Sequence, residues 1–358
     1  MSEVIAVADT EKLLEQIRKE FGEDSIFLLG RDEKLMNIKV NSSGSILLDL
    51  ALGGGYPKGR LIHITGIEKT GKTSLLNLAI AEAQKREPEK KCAIIDLEQS
   101  YNPEWAKKLG VDLDKLYFAQ PDMYAERVFA LIEYLLKTKE FSIIGLDSVA
   151  GLVPRSEFEE VNWDKDGRVG GSAKTISTAI RKLINTGLLT ESQTTLIFIN
   201  QLRDKIGAFS LYGTPTDTPG GRSLKYAASQ TLEVAIGEYF TKQEGSTKKY
   251  LGQQIKVKVT KNKIAPPFKT ATIDLYYEYG IDRLSELIAV AKELGVLSGT
   301  NWLKLVDPVT GEIVQDSEGK EIKFNGVTKA REYLVEDINN GGKIYSIIYS
   351  MVQKLIRG

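Results

Sequence analysis

The sequence predicts an α/β protein with a mostly parallel β-sheet that helices cover on both faces. Near-continuous apolar runs, which are typical of strands buried on both faces, alternate with helical stretches along the chain. These runs occupy residues 61–65, 92–97, 116–119, 143–147 and 195–200. A glycine-rich phosphate-binding pattern follows the first run and opens a helix. Together the two observations predict a P-loop core.

The composition limits the class of protein. The chain has 358 residues, of which 42% are hydrophobic and 27% charged, as is usual for a globular protein with a large core. No apolar run approaches the roughly 20 residues that span a bilayer, and the first residues lack the pattern of a secretion signal. The single cysteine, Cys92, excludes an intrachain disulfide. We therefore expect a cytoplasmic protein that does not associate with membranes.

Histidine content and net charge exclude further classes of function. His63 is the one histidine, so a metal site built from several histidines is excluded. Its position in the first predicted strand favours a structural role. Lysine and arginine together number 48, and so do aspartate and glutamate. Any surface that binds nucleic acid must therefore be local.

We predict three parts along the chain. Residues 1–35 form an N-terminal arm, residues 36–281 the P-loop core, and residues 282–358 a small α/β domain. In the third part, Asp282 is expected to cap a helix, and a hairpin and helices near 328–337 and 344–356 should follow.

The arm should contain an amphipathic helix. Asp9 or Thr10 is the expected N-cap, and Gly22 is a natural stop. The apolar side chains of Leu13, Leu14, Ile17 and Phe21 fall on one helical face. This face needs a partner, which is either the chain's own core or a neighbouring subunit.

The phosphate-binding pattern has a separate physical reason for each key residue. It runs through Gly66, Ile67, Glu68, Lys69, Thr70, Gly71, Lys72 and Thr73, and Ser74 continues into the helix. The glycines let backbone amides point at phosphate oxygens beside a helix N-terminus. Lys72 would neutralise the β- and γ-phosphates of ATP, and the Thr73 hydroxyl would hold Mg2+. The alternative is a glycine turn before an unrelated helix, and the flanking strand and helix argue against it.

Two acidic positions complete the predicted nucleotide site. Asp147 ends an apolar strand, at the sheet edge where α/β folds bind ligands, and can orient Mg2+. Hydrolysis also needs a carboxylate that polarises the attacking water, for which Glu98 is the candidate and Asp96 its rival. Spacing alone does not decide between them, and Glu98 can equally be a solvated loop acid.

An ordered set of motifs makes the sequence more specific than a single P-loop. After the P-loop come Ile95-Asp96-Leu97-Glu98, Leu146-Asp147-Ser148, Ile199-Asn200-Gln201, Gly220-Gly221 and Lys261-Asn262-Lys263. In this order the motifs resemble the RecA family of DNA recombinases, in its bacterial or phage form. The resemblance covers roughly residues 10 to 300 and implies a RecA-like fold.

The resemblance implies roles for individual residues. Glu98 matches the catalytic glutamate, and Gln201 the residue that senses the γ-phosphate. Lys261 and Lys263 match lysines that reach into the ATP site of a neighbouring subunit. The alternative is a solvated strand face, which explains Lys256 and Lys258 well and the other two lysines less well. Trp105 and Tyr277 are assigned to the base of ATP. The family usually has an aspartate and a tyrosine near the adenine where this chain has Asn102 and Trp105, and Trp105 can still stack on a purine.

The resemblance also implies DNA contacts. Two long loops, near residues 157–171 and 202–222, are the expected sites, and mobile surface loops are the alternative. The assigned contact residues are Ser177, Arg181, Arg203, Lys205, Gly220, Gly221 and Arg222. Such residues bind phosphates without reading sequence.

Several features depart from the family pattern. Both loops are slightly longer, and they contain Trp163, Phe209 and Tyr212, which can stack on bases or pack under the loops. The sequence ends in a basic segment at Arg357 where bacterial members carry an acidic tail, so we expect less restrained capture of duplex DNA.

The family implies a protein of recombination, repair and the response to DNA damage. It would bind ATP and Mg2+, form a helical filament of its own subunits on single-stranded DNA, and exchange strands with double-stranded DNA. Two alternatives stay open. One is a ring-forming helicase or motor on the same core, and the other is a DNA-coating protein whose nucleotide site has decayed. The intact Lys72, Thr73, Glu98 and Asp147 argue against the second.

Overall fold

A computed structural model describes residues 2–22, 26, 38–160, 171–204, 216–217, 221–245, 247–316 and 318–357. For residues 2–9, 171–172, 203–204, 216–217 and 221–222 it describes the backbone only. The chain divides into two compact units, Met1–Lys39 and Val40–Gly358.

The first unit contains one long helix, α1 (Ser2–Phe21). It ends at Gly22, whose φ of +99° and whose N–H bond to the Arg18 carbonyl form the predicted stop. The predicted cap at Asp9 or Thr10 is wrong, because the helix begins at Ser2. No glycine or proline interrupts residues 2–10, so the helix continues through both polar positions.

A large sheet organises the second unit. Within the described residues it has nine strands, which are β3 (Leu61–Gly66), β4 (Lys91–Asp96), β5 (Leu116–Ala119), β6 (Phe141–Asp147), β7 (Thr195–Gln201), β10 (Gln230–Glu244), β11 (Thr247–Asn262), β12 (Thr270–Tyr276) and β13 (Gly280–Ile281). Their order across the sheet is β13-β12-β11-β10-β3-β7-β6-β4-β5. Pairs from β10 to β5 are parallel, and those from β10 to β13 antiparallel.

Shorter strands lie outside this sheet. They are β1 (Val40–Asn41), β2 (Tyr56–Pro57), β8 (Arg203–Asp204), β9 (Thr216–Asp217), β14 (Leu297–Ser298), β15 (Trp302–Leu305) and β16 (Lys323–Asn325). β1 pairs with β2, β8 pairs with β9, and the last three form an antiparallel sheet.

Helices connect and cover the strands of the second unit. They are α2 (Ile46–Leu52), α3 (Lys72–Arg86), α4 (Pro103–Lys108), α5 (Ala125–Thr138), α6 (Arg155–Phe158), α7 (Gly171–Asn185), α8 (Leu188–Ser192), α9 (Gly221–Ala227), α10 (Arg283–Glu293), α11 (Gly326–Asn339) and α12 (Lys343–Arg357).

The central parallel strands of the sheet, β3, β4, β6 and β7, are buried on both faces, as predicted. Along β4, Cys92 and Ile94 pack into one hydrophobic cluster with α3, and Ala93 and Ile95 pack into another with α5. This alternation follows from the two-residue period of a strand. The five predicted strands lie within two residues of the observed ones, and the α/β fold with its mostly parallel sheet is confirmed.

The C-terminal segment builds a third hydrophobic cluster from α10, α11, α12 and the sheet of β14 to β16. Asp282 caps α10, since its carboxylate accepts the N–H of Ser285 at 3.0 Å. The predicted cap, hairpin and two helices are therefore confirmed. The domain boundaries themselves stay predictions.

The single histidine lies in the interior of the protein. His63 is buried in β3, and burial lowers its pKa to about 3, so the imidazole is neutral. Within the described ranges, no helix has the length and apolar character needed to cross a bilayer. Those ranges also hold no cluster of three or more histidine, cysteine, aspartate or glutamate side chains suited to a metal ion.

Candidate nucleotide site and DNA-facing elements

The P-loop joins β3 to α3 in a conformation that only glycine allows at two positions. A Cβ on Gly66 would lie 2.4 Å from the Val234 carbonyl oxygen. Gly71 has a φ of +95°, and a Cβ there would lie 2.5 Å from Ile255. The predicted strand, loop and helix are therefore present, with the helix N-terminus facing the loop.

Lys72 is held across the loop. Its ammonium donates to the Ile67 carbonyl at 2.6 Å, and the Thr70 hydroxyl donates to the same carbonyl at 3.0 Å. Burial lowers the pKa of Lys72, and the carboxylates of Asp147 and Glu98 act in the opposite direction. A phosphate would give this desolvated cation the anionic partner that it needs.

Thr73 and Asp147 lie together at the carboxyl end of the sheet. The Thr73 hydroxyl donates to the Asp147 carboxylate at 2.6 Å. Burial raises the pKa of Asp147 to about 6, and the charges of Glu98 and Asp96 add to this rise. A hydroxyl and a carboxylate that face a phosphate-binding loop are the hard oxygen ligands that Mg2+ prefers. The residues therefore fit the predicted ion.

The two rival carboxylates, at the end of β4 and just after it, differ in their surroundings. Asp96 is only 2% exposed. Its oxygens accept the backbone N–H groups of Glu98, Ser100 and Tyr101 and the side-chain amide of Gln120. Asp96 therefore holds the loop in shape and has little capacity left to bind a water molecule.

Glu98 instead faces the P-loop. Its Oε1 accepts the Gln201 amide at 2.7 Å and the Ser148 hydroxyl, and it lies in the same cavity as Lys72 and Asp147. Of the two acids, Glu98 is the one placed to contact a water molecule beside a bound phosphate.

One cavity of about 760 Å3 brings most of the predicted nucleotide residues together. Lining residues that were predicted are Glu68, Lys69, Gly71, Lys72, Thr73, Ser74, Glu98, Trp105, Asp147, Gln201 and Tyr277. Trp105 donates its indole N–H to the Ser74 hydroxyl at 3.0 Å. Asn102 caps α4 by accepting the Trp105 N–H, so it shapes the turn that carries this ring.

Sequence reasoning missed four residues of the cavity wall. Ser100, Tyr239, Gln253 and Leu275 also line the cavity. Tyr239, Gln253 and Leu275 lie side by side on β10, β11 and β12, according to the strand register. Those strands are more than a hundred residues from the P-loop in sequence, and no local motif marks them. Only the pairing of the strands brings these three residues to the cavity, so the sequence alone could not identify them.

Sequence comparison relates most of the chain to known proteins. The family model for the RecA N-terminal domain matches residues 8–282. The chain belongs to the RecA family. It is 44% identical over 335 residues to Protein RecA of Mycoplasma mycoides subsp. mycoides SC, covering 92% of this chain and 93% of that protein. It is 40% identical over 334 residues to chromosomal Protein RecA of Lactococcus lactis subsp. lactis, with 92% and 79% covered.

The lysine pair of this RecA-family chain lies away from its own nucleotide cavity. Of the residues that the structure describes, neither Lys261 nor Lys263 lines the cavity. In the strand register Lys261 lies opposite Thr231, and Thr231 lies opposite His63. Lys261 is therefore beside the middle of β3 and not beside its end, where the P-loop starts. Its ammonium donates to the carbonyls of Lys225 and Tyr226 at the end of α9, at 2.8 and 2.7 Å.

The DNA contacts predicted from the RecA resemblance fall on α7 and around the second loop. Ser177 and Arg181 are four residues apart on α7 and so share a face, and Arg181 is exposed. Ile176 and Ile180 fix that orientation because they are buried in the core. The side chain of Arg181 contacts the Thr178 hydroxyl at 3.4 Å.

Of the second loop, the structure describes residues 202–204, 216–217 and 221–222. Arg203 pairs with Asp217 in the two-stranded ribbon of β8 and β9, which the sequence did not predict. Gly221 and Arg222 begin α9. Lys205 and Gly220 lie outside the described residues, as do the loop aromatics Trp163, Phe209 and Tyr212.

Proposed function

We propose that this RecA-family chain is an ATP-dependent recombinase. It forms helical filaments on single-stranded DNA and catalyses homologous pairing and strand exchange with DNA-stimulated ATP hydrolysis. Family membership supports a role in DNA recombination and repair. The observation that carries the finer proposal is the bond between Glu98 and Gln201, because it joins the candidate catalytic acid to the strand that leads into a DNA-facing loop.

The P-loop residues would hold the triphosphate of ATP. Backbone amides from Gly66 to Thr73 face its oxygens, and Lys72 pairs with the β- and γ-phosphates. Thr73 and Asp147 would hold Mg2+, which supplies charge neutralisation on the phosphate oxygens. Trp105 and Tyr277 would contact the base. Both rings line the cavity beyond the phosphate loop.

Glu98 would act on the attacking water. Its carboxylate orients the water and accepts a proton while the water oxygen bonds to the γ-phosphorus and the bond to the bridging oxygen breaks. The products are ADP and phosphate. Lys72 offsets the negative charge that develops on the transferred group.

Gln201 would report the nucleotide state to DNA. Gln201 is the last residue of β7 and lies two positions before Arg203 of β8. A γ-phosphate competes with Glu98 for the Gln201 amide, and the new hydrogen bond shifts the start of the second loop. ATP and DNA binding then favour each other by linkage.

Assembly would complete the site. We propose that Lys261 exchanges its bonds at the end of α9 for the ATP site of a neighbouring protomer, which Lys263 also enters, and that the arm, residues 1–35, packs on an adjacent protomer. Residues 36–281 then serve as the core, and residues 282–358 receive double-stranded DNA through the basic end of α12, with Lys354 and Arg357. Nucleotide binding and filament assembly become one coupled equilibrium.

Strand exchange between circular single-stranded DNA and a homologous linear duplex tests the proposal. We expect joint molecules with ATP present and none without it. The Lys72→Ala variant should lose the reaction, whereas Lys85→Ala, an exposed lysine at the far end of the same helix, should keep it. Nucleotide-independent annealing by wild type and Lys72→Ala alike would contradict the proposal and favour a protein that only coats DNA.

A further inference from the structure

Two side chains of strand β11 contact the P-loop. Ile255 lies against Gly71, and two residues earlier Gln253 reaches the loop with its side chain. Residues two apart on a strand share a face, so both contacts come from the same side of β11. The strand is therefore a direct link between the phosphate loop and the antiparallel half of the sheet.

Gln253 makes two hydrogen bonds that join different halves of the cavity. Its Nε2 donates to the Lys69 carbonyl of the P-loop at 3.3 Å, and its Oε1 accepts the Tyr277 hydroxyl at 3.2 Å. The side chain is well shielded, since Gln253 is only 7% exposed. A shielded amide whose donor and acceptor are both used has a fixed orientation.

The contact at Lys69 supports an unusual backbone conformation. Lys69 has a φ of +60°, which costs a residue with a side chain about 1 kcal/mol or more. The hydrogen bond from Gln253 satisfies the carbonyl that this conformation presents. Losing the bond should therefore loosen the loop at the residue before Thr70.

We propose that Gln253 is a positioning residue that fixes Tyr277, and hence the base of the bound nucleotide, at a set distance from the phosphate loop. This inference rests on the proposed ATP site. Tyr239 and Leu275 flank Gln253 on the neighbouring strands and extend the same wall. The wall therefore selects nucleotides by the separation of their base from their triphosphate.

The chemistry of the amide makes the role specific. Alanine makes neither bond. A glutamate at position 253 can accept from Tyr277 but cannot donate to Lys69, and its charge would face a carbonyl oxygen. Gln254 is a matched control, because it is the next residue on β11 and its amide bonds to Asp274 away from the cavity at 3.2 Å.

Binding of two probes to the full chain tests the proposal. ATP reaches both halves of the cavity, whereas inorganic tripolyphosphate reaches only the P-loop. We expect Gln253→Ala to weaken ATP binding about tenfold, since two hydrogen bonds are lost, and tripolyphosphate binding about threefold or less. Gln254→Ala should leave both affinities unchanged. Equal losses for the two probes would overturn the proposal, because they would make Gln253 a support of the P-loop alone.

A second variant keeps the test decisive if Gln253→Ala folds poorly. Tyr277→Phe removes only the hydroxyl, and we expect ATP binding to weaken about threefold to fivefold with tripolyphosphate unchanged. In the double variant the loss should not exceed that of Gln253→Ala alone, because the two residues act through one bond. Additive losses, or no effect of Tyr277→Phe, would contradict the inference. Wild-type protein that does not bind ATP would instead contradict the proposed function.

Discussion

At the scale of single residues, two carboxylates separated by one position differ in their surroundings. Asp96 accepts four hydrogen bonds and is almost completely buried, whereas Glu98 faces the P-loop cavity. Spacing in the sequence could not separate them, because both lie where the same strand ends. The backbone turn after β4 makes the difference, since it directs its amides at Asp96 and leaves Glu98 free to face the cavity.

Amide substitutions should separate these roles. Glu98→Gln should lower kcat for ATP hydrolysis by about 100-fold to 10,000-fold and leave stability and ATP affinity nearly unchanged. Asp96→Asn should lower the free energy of unfolding by about 1–3 kcal/mol, because its new NH2 group faces backbone donors. Steady-state kinetics and chemical denaturation of both variants check this. Loss of catalysis with full stability in Asp96→Asn would contradict this account and make Asp96, not Glu98, the catalytic acid.

The sequence predicted the phosphate half of the site better than the base half. Gly66, Lys72 and Thr73 belong to one contiguous pattern whose chemistry is local, so reading it required no knowledge of the sheet. Gln253 and Tyr239 reach the cavity only through long-range strand pairing. Glutamine and tyrosine in a strand carry no signal of their own, so sequence reasoning could not find them.

At the scale of elements, a buried carboxylate links α10 to α2. Glu286 of α10 accepts the Ser45 hydroxyl at 3.0 Å and the Ile46 N–H at 3.1 Å, at the N-terminus of α2. Burial raises the pKa of Glu286 to about 7 and that of nearby Asp49 to about 6. The folded chain therefore binds these protons more tightly than the unfolded chain does.

The sign of the pH dependence follows. Because the pKa of Glu286 is raised, its proton stabilises the folded state at low pH. This contribution is fully present below the unfolded pKa of 4.5 and is lost as pH rises through about 7. In wild type this lowers the free energy of unfolding as pH rises, and Glu286→Gln should make that decrease smaller by up to about 3 kcal/mol. Denaturant unfolding at pH 5 and pH 8 measures it. Glu293→Gln, at an exposed position of the same helix, is the control. Parallel profiles for wild type and Glu286→Gln would contradict the assignment.

The arm helix leaves apolar side chains exposed. Leu13 is 55% and Phe21 is 70% exposed in the single chain. An arginine at position 13 should prevent assembly if this face packs on another protomer, while ATP binding by the core stays unchanged. Glu15→Arg, on another face of the helix, is the control. Light scattering with ATP and single-stranded DNA measures assembly, and normal filament growth by Leu13→Arg would refute a role for this face.

At the scale of the whole molecule, the parallel half of the sheet was easier to predict than the antiparallel half. Strands β3 to β7 are short apolar runs separated by helices, and each had a clear signal. β10 and β11 are 15 and 16 residues long and become polar and exposed toward their shared turn. Their length follows from pairing with each other, which the pattern of either strand alone does not specify.

Mixing two inactive variants tests whether the ATP site is shared between protomers. Lys72→Ala lacks a working P-loop but keeps Lys261, and Lys261→Ala has the opposite defect. Each should lose DNA-stimulated hydrolysis alone. In an equal mixture, roughly a quarter of head-to-tail interfaces would combine an intact P-loop with an intact lysine, so activity should return in part. A mixture as inactive as its components would contradict a lysine that acts across the interface.

The most direct test of the central claim is ATP hydrolysis with and without single-stranded DNA, with negative-stain images of the same samples. Our account predicts strong stimulation by DNA together with open helical filaments. Hydrolysis that is indifferent to single strands, or closed rings in the images, would contradict it and favour a ring-forming motor on the same fold.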